Sequence, residues 1–94
     1  MKKYFIASLC KNGIIGGGIT ADYESVTYHC GKITLPEKYR KLQMRYENIL
    51  SAETGRLFIL PAVTMKMNNG EEYKFVIFAR RRFMDILRDM GVIT

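Results

Sequence analysis

The hydrophobic pattern of the chain changes its period once, near residue 79. Before that point, every second side chain is apolar in several short stretches, as in residues 25–30 and 72–78. After it, four apolar residues follow the spacing i, i+3, i+4 and i+7: Phe83, Ile86, Leu87 and Met90. Alternation is typical of strands with one buried face, and the second spacing is typical of an amphipathic helix. The sequence therefore predicts a mainly β protein with one C-terminal α-helix that ends near Gly91.

Turn sequences separate the predicted strands. Residues 68–70, Asn-Asn-Gly, give the clearest hairpin signal, because Asn and Gly adopt the positive φ angles that a tight hairpin needs. Residues 11–13, Lys-Asn-Gly, carry the same signal. Further turns are predicted at residues 22–24 and at Thr54-Gly55, and residues 33–36 are interpreted as a connecting segment.

Two segments are expected to form irregular strands. Gly16-Gly17-Gly18 would cost too much backbone entropy inside a helix, which favours a bent or bulged strand. The apolar run of residues 57–67 contains Pro61, which has no N–H for a ladder hydrogen bond and belongs at an edge or a bulge. Both features predict edge strands, and a second copy of the chain could pair with such an edge.

Residues 38–46 are compatible with two structures. Tyr39, Leu42 and Tyr46 would share one face of a helix, whereas Leu42, Met44 and Tyr46 would share one face of a strand. The stretch before Glu47 is short, which favours the strand. The helical alternative stays open at this point.

The 94 residues are expected to form one domain, because the length is typical of a single small core. No apolar run approaches the roughly 20 residues that span a bilayer, and the expected location is the cytoplasm, with the inner membrane surface as a peripheral site. Cys10 and Cys30 are expected to be reduced, and a bridge between neighbouring strands is the alternative.

The sequence gives little support for catalysis. His29 is the single histidine, it stands beside Cys30, and neither belongs to a CxxC motif or to a set of three or four zinc ligands. Neither a triad nor a pair of carboxylates stands out. We therefore expect no catalytic residue, no metal site and no cofactor, and a protein that is not an enzyme.

The net charge of +6 favours anionic partners. Arg80, Arg81 and Arg82 begin the predicted helix, where free N–H groups and guanidiniums together suit phosphate or carboxylate. The alternative is a solvated face on which Arg81 reaches Asp85 at i+4. These arginines are the first candidate site for an anion or a membrane surface.

A second basic group is interleaved with Tyr39 and Tyr46. This pattern can bind single-stranded nucleic acid through charge and stacking. On a strand, the same residues would form the wet face opposite the core. The group consists of Lys38, Arg40, Lys41 and Arg45.

Several short motifs share their order with a known class of domain: Gly17-Gly18-Ile19-Thr20, Val26-Thr27-Tyr28, Tyr46-Glu47-Asn48-Ile49, Tyr73-Lys74-Phe75 and the closing helix. With residues 4–9 as the first strand, the chain resembles a bacterial pleckstrin-homology-like domain of the GRAM type over nearly its whole length. The resemblance implies a partly open barrel of two near-orthogonal antiparallel sheets, capped by the helix.

The resemblance also implies a binding or adaptor module without catalytic residues. In lipid-binding members, the loop between the first two strands is basic and holds head-group phosphates. Here that loop carries one lysine, Lys11, so this phosphate site is not carried over to the chain. The expected function is therefore non-enzymatic binding through a protein partner or self-association. Peripheral binding to anionic lipid is the alternative, and weak nucleic-acid binding is the second alternative.

Overall fold

The structure, a computed structural model, describes residues 1–11, 13–31 and 36–93. Within these ranges a single-turn helix and a 3-10 turn accompany the strands, and a longer helix follows them. A mainly β chain with one C-terminal helix is thus confirmed. The elements are β1 Lys3–Cys10, β2 Ile14–Ala21, β3 Ser25–His29, α1 Glu37–Arg40, β4 Lys41–Arg45, the 3-10 turn Tyr46–Asn48, β5 Ile49–Leu57, β6 Leu60–Met67, β7 Glu72–Ile77 and α2 Arg80–Asp89.

The described strands form one antiparallel sheet in the order β4-β3-β2-β1-β7-β6-β5. The sheet curls into a half-barrel, and its ladder is continuous from one edge to the other. β1 lies in the middle and pairs along its whole length with β2, from Lys3–Ala21 to Cys10–Ile14. Its pairing with β7 is shorter and covers three described pairs, between residues 7–9 and 75–77.

The core lies on the concave face of the sheet and is closed by α2. Alternation in β1 and β7 places one set of side chains inside: Phe5, Ala7, Leu9, Tyr73, Phe75 and Ile77. Phe83 and Leu87 of α2 are fully buried among them, and the rings of Phe5 and Phe83 meet edge to face at 5.5 Å. Packing against the sheet stabilises α2, because an isolated helix of about ten residues is not stable in water.

The end of α2 follows the sequence expectation at Gly91. Its φ of 80° is in the left-handed region, which glycine adopts without a side-chain clash. The amide of Val92 donates to the carbonyl of Leu87 at 2.9 Å, and that of Gly91 donates to Arg88 at 3.1 Å. This is a Schellman motif, which satisfies two of the helix's last carbonyls.

The triple-glycine segment is neither bulged nor at an edge. Residues 16–18 lie within β2, in unbroken register with β1, and β2 is an interior strand. Gly17 is required where β2 passes β3. A Cβ there would collide with the backbone oxygen of His29 and meet the Tyr28 ring at 3.0 Å.

Two predictions for the second half of the sheet are wrong: the position of one turn and the edge position of the strand that contains Pro61. The prediction of a turn at Thr54-Gly55 is wrong. β5 continues to Leu57, and the chain reverses at residues 58–59. The apolar run of residues 57–67 therefore contains a hairpin. The sequence does not predict this turn, because neither Phe58 nor Ile59 is a typical turn residue.

Pro61 does not mark an edge strand, since β6 lies between β5 and β7. Its partner on β5 is Arg56, one position beyond the closing pair Leu57–Leu60. In a two-residue hairpin the closing pair carries the hydrogen bonds, so the next residue's N–H points away from its partner. The β6–β7 pairing begins only at Ala62. The missing N–H of Pro61 thus interrupts no described ladder.

Residues 38–46, which were compatible with a helix or a strand, begin as a helix and continue as a strand. Residues 37–40 form the single turn α1, and residues 41–45 form β4, so the strand prediction is correct only from Lys41. Leu42 and Met44 point into the core while Lys41 and Arg45 are exposed. Of the remaining connections, Asn12 and residues 33–35 lie outside the described residues.

Gly17 and its neighbour Gly16 provide a matched test of this packing. We expect Gly17→Ala to lower the free energy of unfolding by about 2 kcal/mol, because a backbone oxygen cannot move aside for the new methyl. Gly16→Ala should change it by less than about 0.5 kcal/mol, since a Cβ there meets nothing within 4 Å. Urea denaturation compares the two, and equal effects would contradict the close approach of β2 and β3.

Two buried tyrosines make stability depend on alkaline pH. Burial raises the pKa of Tyr28 and of Tyr46 to about 12. Their hydroxyls donate to the carbonyls of Ile15 and Asp22, at 2.8 and 2.7 Å. Because the unfolded chain loses these protons near pH 10, stability should be constant below about pH 10 and fall towards pH 12. Urea denaturation across this range tests the slope, which Tyr46→Phe should roughly halve; a flat profile would contradict it.

Candidate functional site

The three consecutive arginines stand at the start of α2 and have unequal environments. No described side chain caps this helix terminus, and its first turn contains no acid. Arg80 is held back against the sheet, because its Nη1 donates to the carbonyl of Gly55 at 2.6 Å. Arg81 and Arg82 are exposed, and neither makes a hydrogen bond or ion pair with the residues that the structure describes. Arg80 therefore fixes the β5–β6 hairpin, and the other two face solvent.

The pairing expected between Arg81 and Asp85 is not made. Asp85 instead accepts from Arg88 at 3.0 Å, both groups being more than half exposed. A shallow concavity of about 460 Å³ lies beside this pair, between α2 and β5. Its lining consists of Thr54, Arg80, Arg81, Met84, Asp85 and Arg88. It is cationic, since three arginines face one carboxylate.

The second basic group is dispersed rather than gathered into one patch. Lys38 pairs with Glu71 at 2.7 Å, and Arg45 pairs with Glu47 at 2.9 Å. Arg40 is half-buried, and its Nε has no hydrogen-bond partner among the described residues. Lys41 alone is an exposed cation of β4 without a described ion pair. The acids that neutralise this group offset its attraction for an anionic partner.

The tyrosines of this group do not offer stacking platforms for bases. Tyr46 is buried and anchors the turn before β3 through its hydroxyl. The ring of Tyr39 is approached by the ammonium groups of Lys11 and Lys38, at 4.6 and 5.6 Å from its centre. Stacking of a base needs an exposed ring face. The geometry therefore gives no support to the nucleic-acid alternative.

The structure defines the surroundings of His29 and of the two cysteines. His29 lies within 3.2 Å of the Thr20 hydroxyl and packs beside the Tyr4 ring. Burial raises the pKa of the Cys10 thiol, which disfavours the reactive thiolate. Cys10 and Cys30 are not joined by a disulfide. Within the described ranges, no three His, Cys, Asp or Glu side chains could share a metal ion.

A surface that the sequence analysis missed lies on the convex side of β1 and β2. Alternation in the two strands places eight residues on this side, and all of them are uncharged. Tyr4, Ile6 and Ile14 are exposed by 63%, 69% and 54%. We call this surface the β1–β2 outer face; it consists of Tyr4, Ile6, Ser8 and Cys10 of β1 and Ile14, Gly16, Gly18 and Thr20 of β2.

The sequence did contain a signal for this face. Residues 4–7, Tyr-Phe-Ile-Ala, are apolar at successive positions, so a strand there must show an apolar side chain on both faces. Only one face can meet the core of a small half-barrel. Phe78 extends the surface, because the register Ala7–Ile77 brings it next to Ile6, and it is 64% exposed.

A second missed feature is the turn between β5 and β6. Phe58 and Ile59 occupy it and are 87% and 89% exposed. We call these two residues the hairpin tip. Leu57 and Phe58 line an apolar hollow of about 300 Å³ with Cys10, Gly13 and Ile14, so the hairpin leans towards the end of the β1–β2 outer face.

Among the residues described, neither helix has the length and apolar character that crossing a bilayer requires.

The unequal roles of the arginines predict unequal effects of their removal. Arg80→Ala should lower the free energy of unfolding by about 1 kcal/mol, because the carbonyl of Gly55 loses its charged donor. Arg82→Ala removes the same charge without a described contact and should change it by less than about 0.5 kcal/mol. Thermal and urea denaturation would measure both; equal values would mean that Arg80 does not hold the hairpin.

Comparisons with known proteins assign no family. No family model matches the chain, and no curated protein matches it. The resemblance to pleckstrin-homology-like domains thus depends on the motifs and on the order of the elements, and the candidate surfaces are defined by geometry alone.

Proposed function

We propose that this chain is a non-enzymatic binding module that associates with another protein chain through the β1–β2 outer face. The observation that carries the proposal is the exposure of Tyr4, Ile6 and Phe78 on neighbouring rows of one sheet surface, each above 60%. Single exposed apolar residues are common on proteins, but contiguous apolar patches mark interaction sites.

The shape of this face suits a flat contact. Gly16 and Gly18 have no side chains, and the Tyr4 ring lies across Gly18 towards His29, with 5.7 Å between the ring centres. Ile6 and Phe78 stand beside this level floor. Aromatic and aliphatic residues of this kind form the desolvated centres of protein interfaces.

A second copy of the chain is the partner that the uncharged β1–β2 outer face admits. Each chain carries +6, so two copies repel one another unless the contact lies where the charge is absent. The β1–β2 outer face meets that condition, since all eight of its residues are uncharged. An acidic partner would be drawn instead to the arginines of α2.

Such a dimer would need only part of the surface of one chain. A stable interface buries about 800 Å² on each partner. This is about a seventh of the 5840 Å² of surface that one chain exposes. The β1–β2 outer face with Phe78 supplies the centre of such an interface.

The proposal includes a pleckstrin-homology-like arrangement of the strands. The order β4-β3-β2-β1-β7-β6-β5, followed by a helix over the core, supports it. The short β1–β7 contact supports it as well, because three pairs join a four-stranded half to a three-stranded half. Two near-orthogonal sheets would then meet at this seam.

Self-association predicts that Ile6 controls the oligomeric state. Ile6→Asp places a charge at the centre of the face and should weaken association about tenfold or more. Leu50→Asp is the matched control, because Leu50 is 70% exposed but lies on the edge strand β5. Light scattering coupled to size exclusion, over a range of protein concentrations, measures both variants beside the wild type.

The results separate the proposal from its alternatives. A wild type and a Leu50→Asp variant that form dimers, beside an Ile6→Asp variant that does not, would support it. A wild type that stays monomeric at high micromolar concentration would overturn self-association, and equal effects of the two substitutions would overturn the assignment to this face.

A further inference from the structure

The hairpin tip combines two unfavourable features. Phe58 and Ile59 are the most exposed of the large apolar side chains in the described residues, at 87% and 89%. Phe58 also has a φ of 57°, in the left-handed region that residues other than Gly, Asn and Asp rarely adopt. Burial within the chain offsets neither the exposure of the two side chains nor the strain of the positive φ. Residues in such conformations often serve a function that the fold alone does not require.

The turn geometry makes the choice of Phe58 more informative. Leu57 and Leu60 form the closing pair, so Phe58 and Ile59 are the two central residues of a tight hairpin. The position that Phe58 occupies is normally held by Gly or Asn, because these residues accept a positive φ. The corresponding turn before β7 uses Gly70, whose φ is 92°.

Cations surround the base of the same hairpin. Lys74 reaches it from β7, with its Nζ donating to the carbonyl of Arg56 at 3.0 Å. Arg80 reaches it from α2 through the carbonyl of Gly55. The side chain of Arg56 is itself exposed.

Two further arginines extend this arrangement along β5. Arg81 and Arg88 line the concavity beside Thr54, where Asp85 is the one acidic residue of the lining. Glu53 is the one acidic residue of β5. We call the five cations the basic collar: Arg56, Lys74, Arg80, Arg81 and Arg88.

We propose that the hairpin tip inserts into the interfacial region of an anionic lipid bilayer while the basic collar contacts its head groups. An apolar hairpin tip with cations near its base matches the two layers of such a surface, apolar chains inside and negative charge at the surface. An apolar protein pocket would suit Phe58 and Ile59, but it would leave the collar cations other than Arg88, which pairs with Asp85, without counter-charges. This inference goes beyond self-association and does not depend on it.

Vesicle co-sedimentation tests the insertion. The probes are vesicles of phosphatidylcholine alone and of phosphatidylcholine with phosphatidylglycerol, at low and at physiological salt. The wild type should bind the anionic vesicles, less strongly at the higher salt. Phe58→Asn with Ile59→Thr should weaken this binding about tenfold or more. The same variant should unfold at a temperature no lower than the wild type, because Asn accepts the positive φ.

Charge is tested by neutralising two collar residues that make no described side-chain hydrogen bond. Arg56→Gln with Arg81→Gln should weaken binding to anionic vesicles about tenfold or more at low salt. Lys41→Gln with Arg45→Gln removes the same charge from β4, at the opposite edge of the sheet. This control should retain most of the binding.

A fluorescent reporter makes the insertion directly visible. The chain contains no tryptophan, so Phe58→Trp introduces a single indole. Its emission should shift to the blue on anionic vesicles and be quenched by brominated lipid tails. Leu50→Trp, at a position that is 70% exposed in the native chain, should show neither effect.

Three results would overturn the proposal. The first is the absence of wild-type binding to anionic vesicles at low salt. The second is a hairpin-tip variant that binds as well as the wild type. The third is an indole at position 58 that stays in water while the protein is bound, which would reduce the contact to surface charge alone.

Discussion

Three residue pairs between β1 and β7 join the first half of this chain to the second. They connect residues 7–9 with residues 75–77, across almost seventy positions of sequence. On the concave side, Ala7, Leu9, Phe75 and Ile77 of these pairs are fully buried, and α2 covers the core they belong to. Without this seam, β1–β4 would be one open sheet and β5–β7 another, each with an uncovered apolar face. The position of α2, and with it the basic collar, depends on the same contact.

The sequence predicted the parts of the fold that depend on local periodicity. Alternation located β3 and β7, the i, i+3, i+4, i+7 spacing located α2, and Gly91 marked its end. The β5–β6 turn was missed because Phe58 and Ile59 are apolar, so local pattern places them within a strand. The interior position of the strand that contains Pro61 was not predicted either, because long-range pairing decides whether a strand lies at an edge.

The candidate surfaces were predictable to a lesser extent. The two basic groups are visible in the sequence, but their partners are not: Lys38 meets Glu71, which is 33 residues away, and Arg80 meets the backbone of Gly55. Charge counting therefore overestimates how many of these cations face solvent. The β1–β2 outer face and the hairpin tip required the structure, because exposure depends on which faces the half-barrel and α2 leave uncovered.

The central position of β1 has a consequence for synthesis on the ribosome. β1 can pair with β2 as soon as the first hairpin has emerged, but its other edge stays open until residue 77 has been made. At roughly 5–20 residues per second, this interval lasts on the order of several seconds. During it, both faces of β1 and one row of its backbone hydrogen-bonding groups are uncovered. The nascent chain is then a better substrate for chaperones than the finished fold, and residues 4–7 are the segment they would bind.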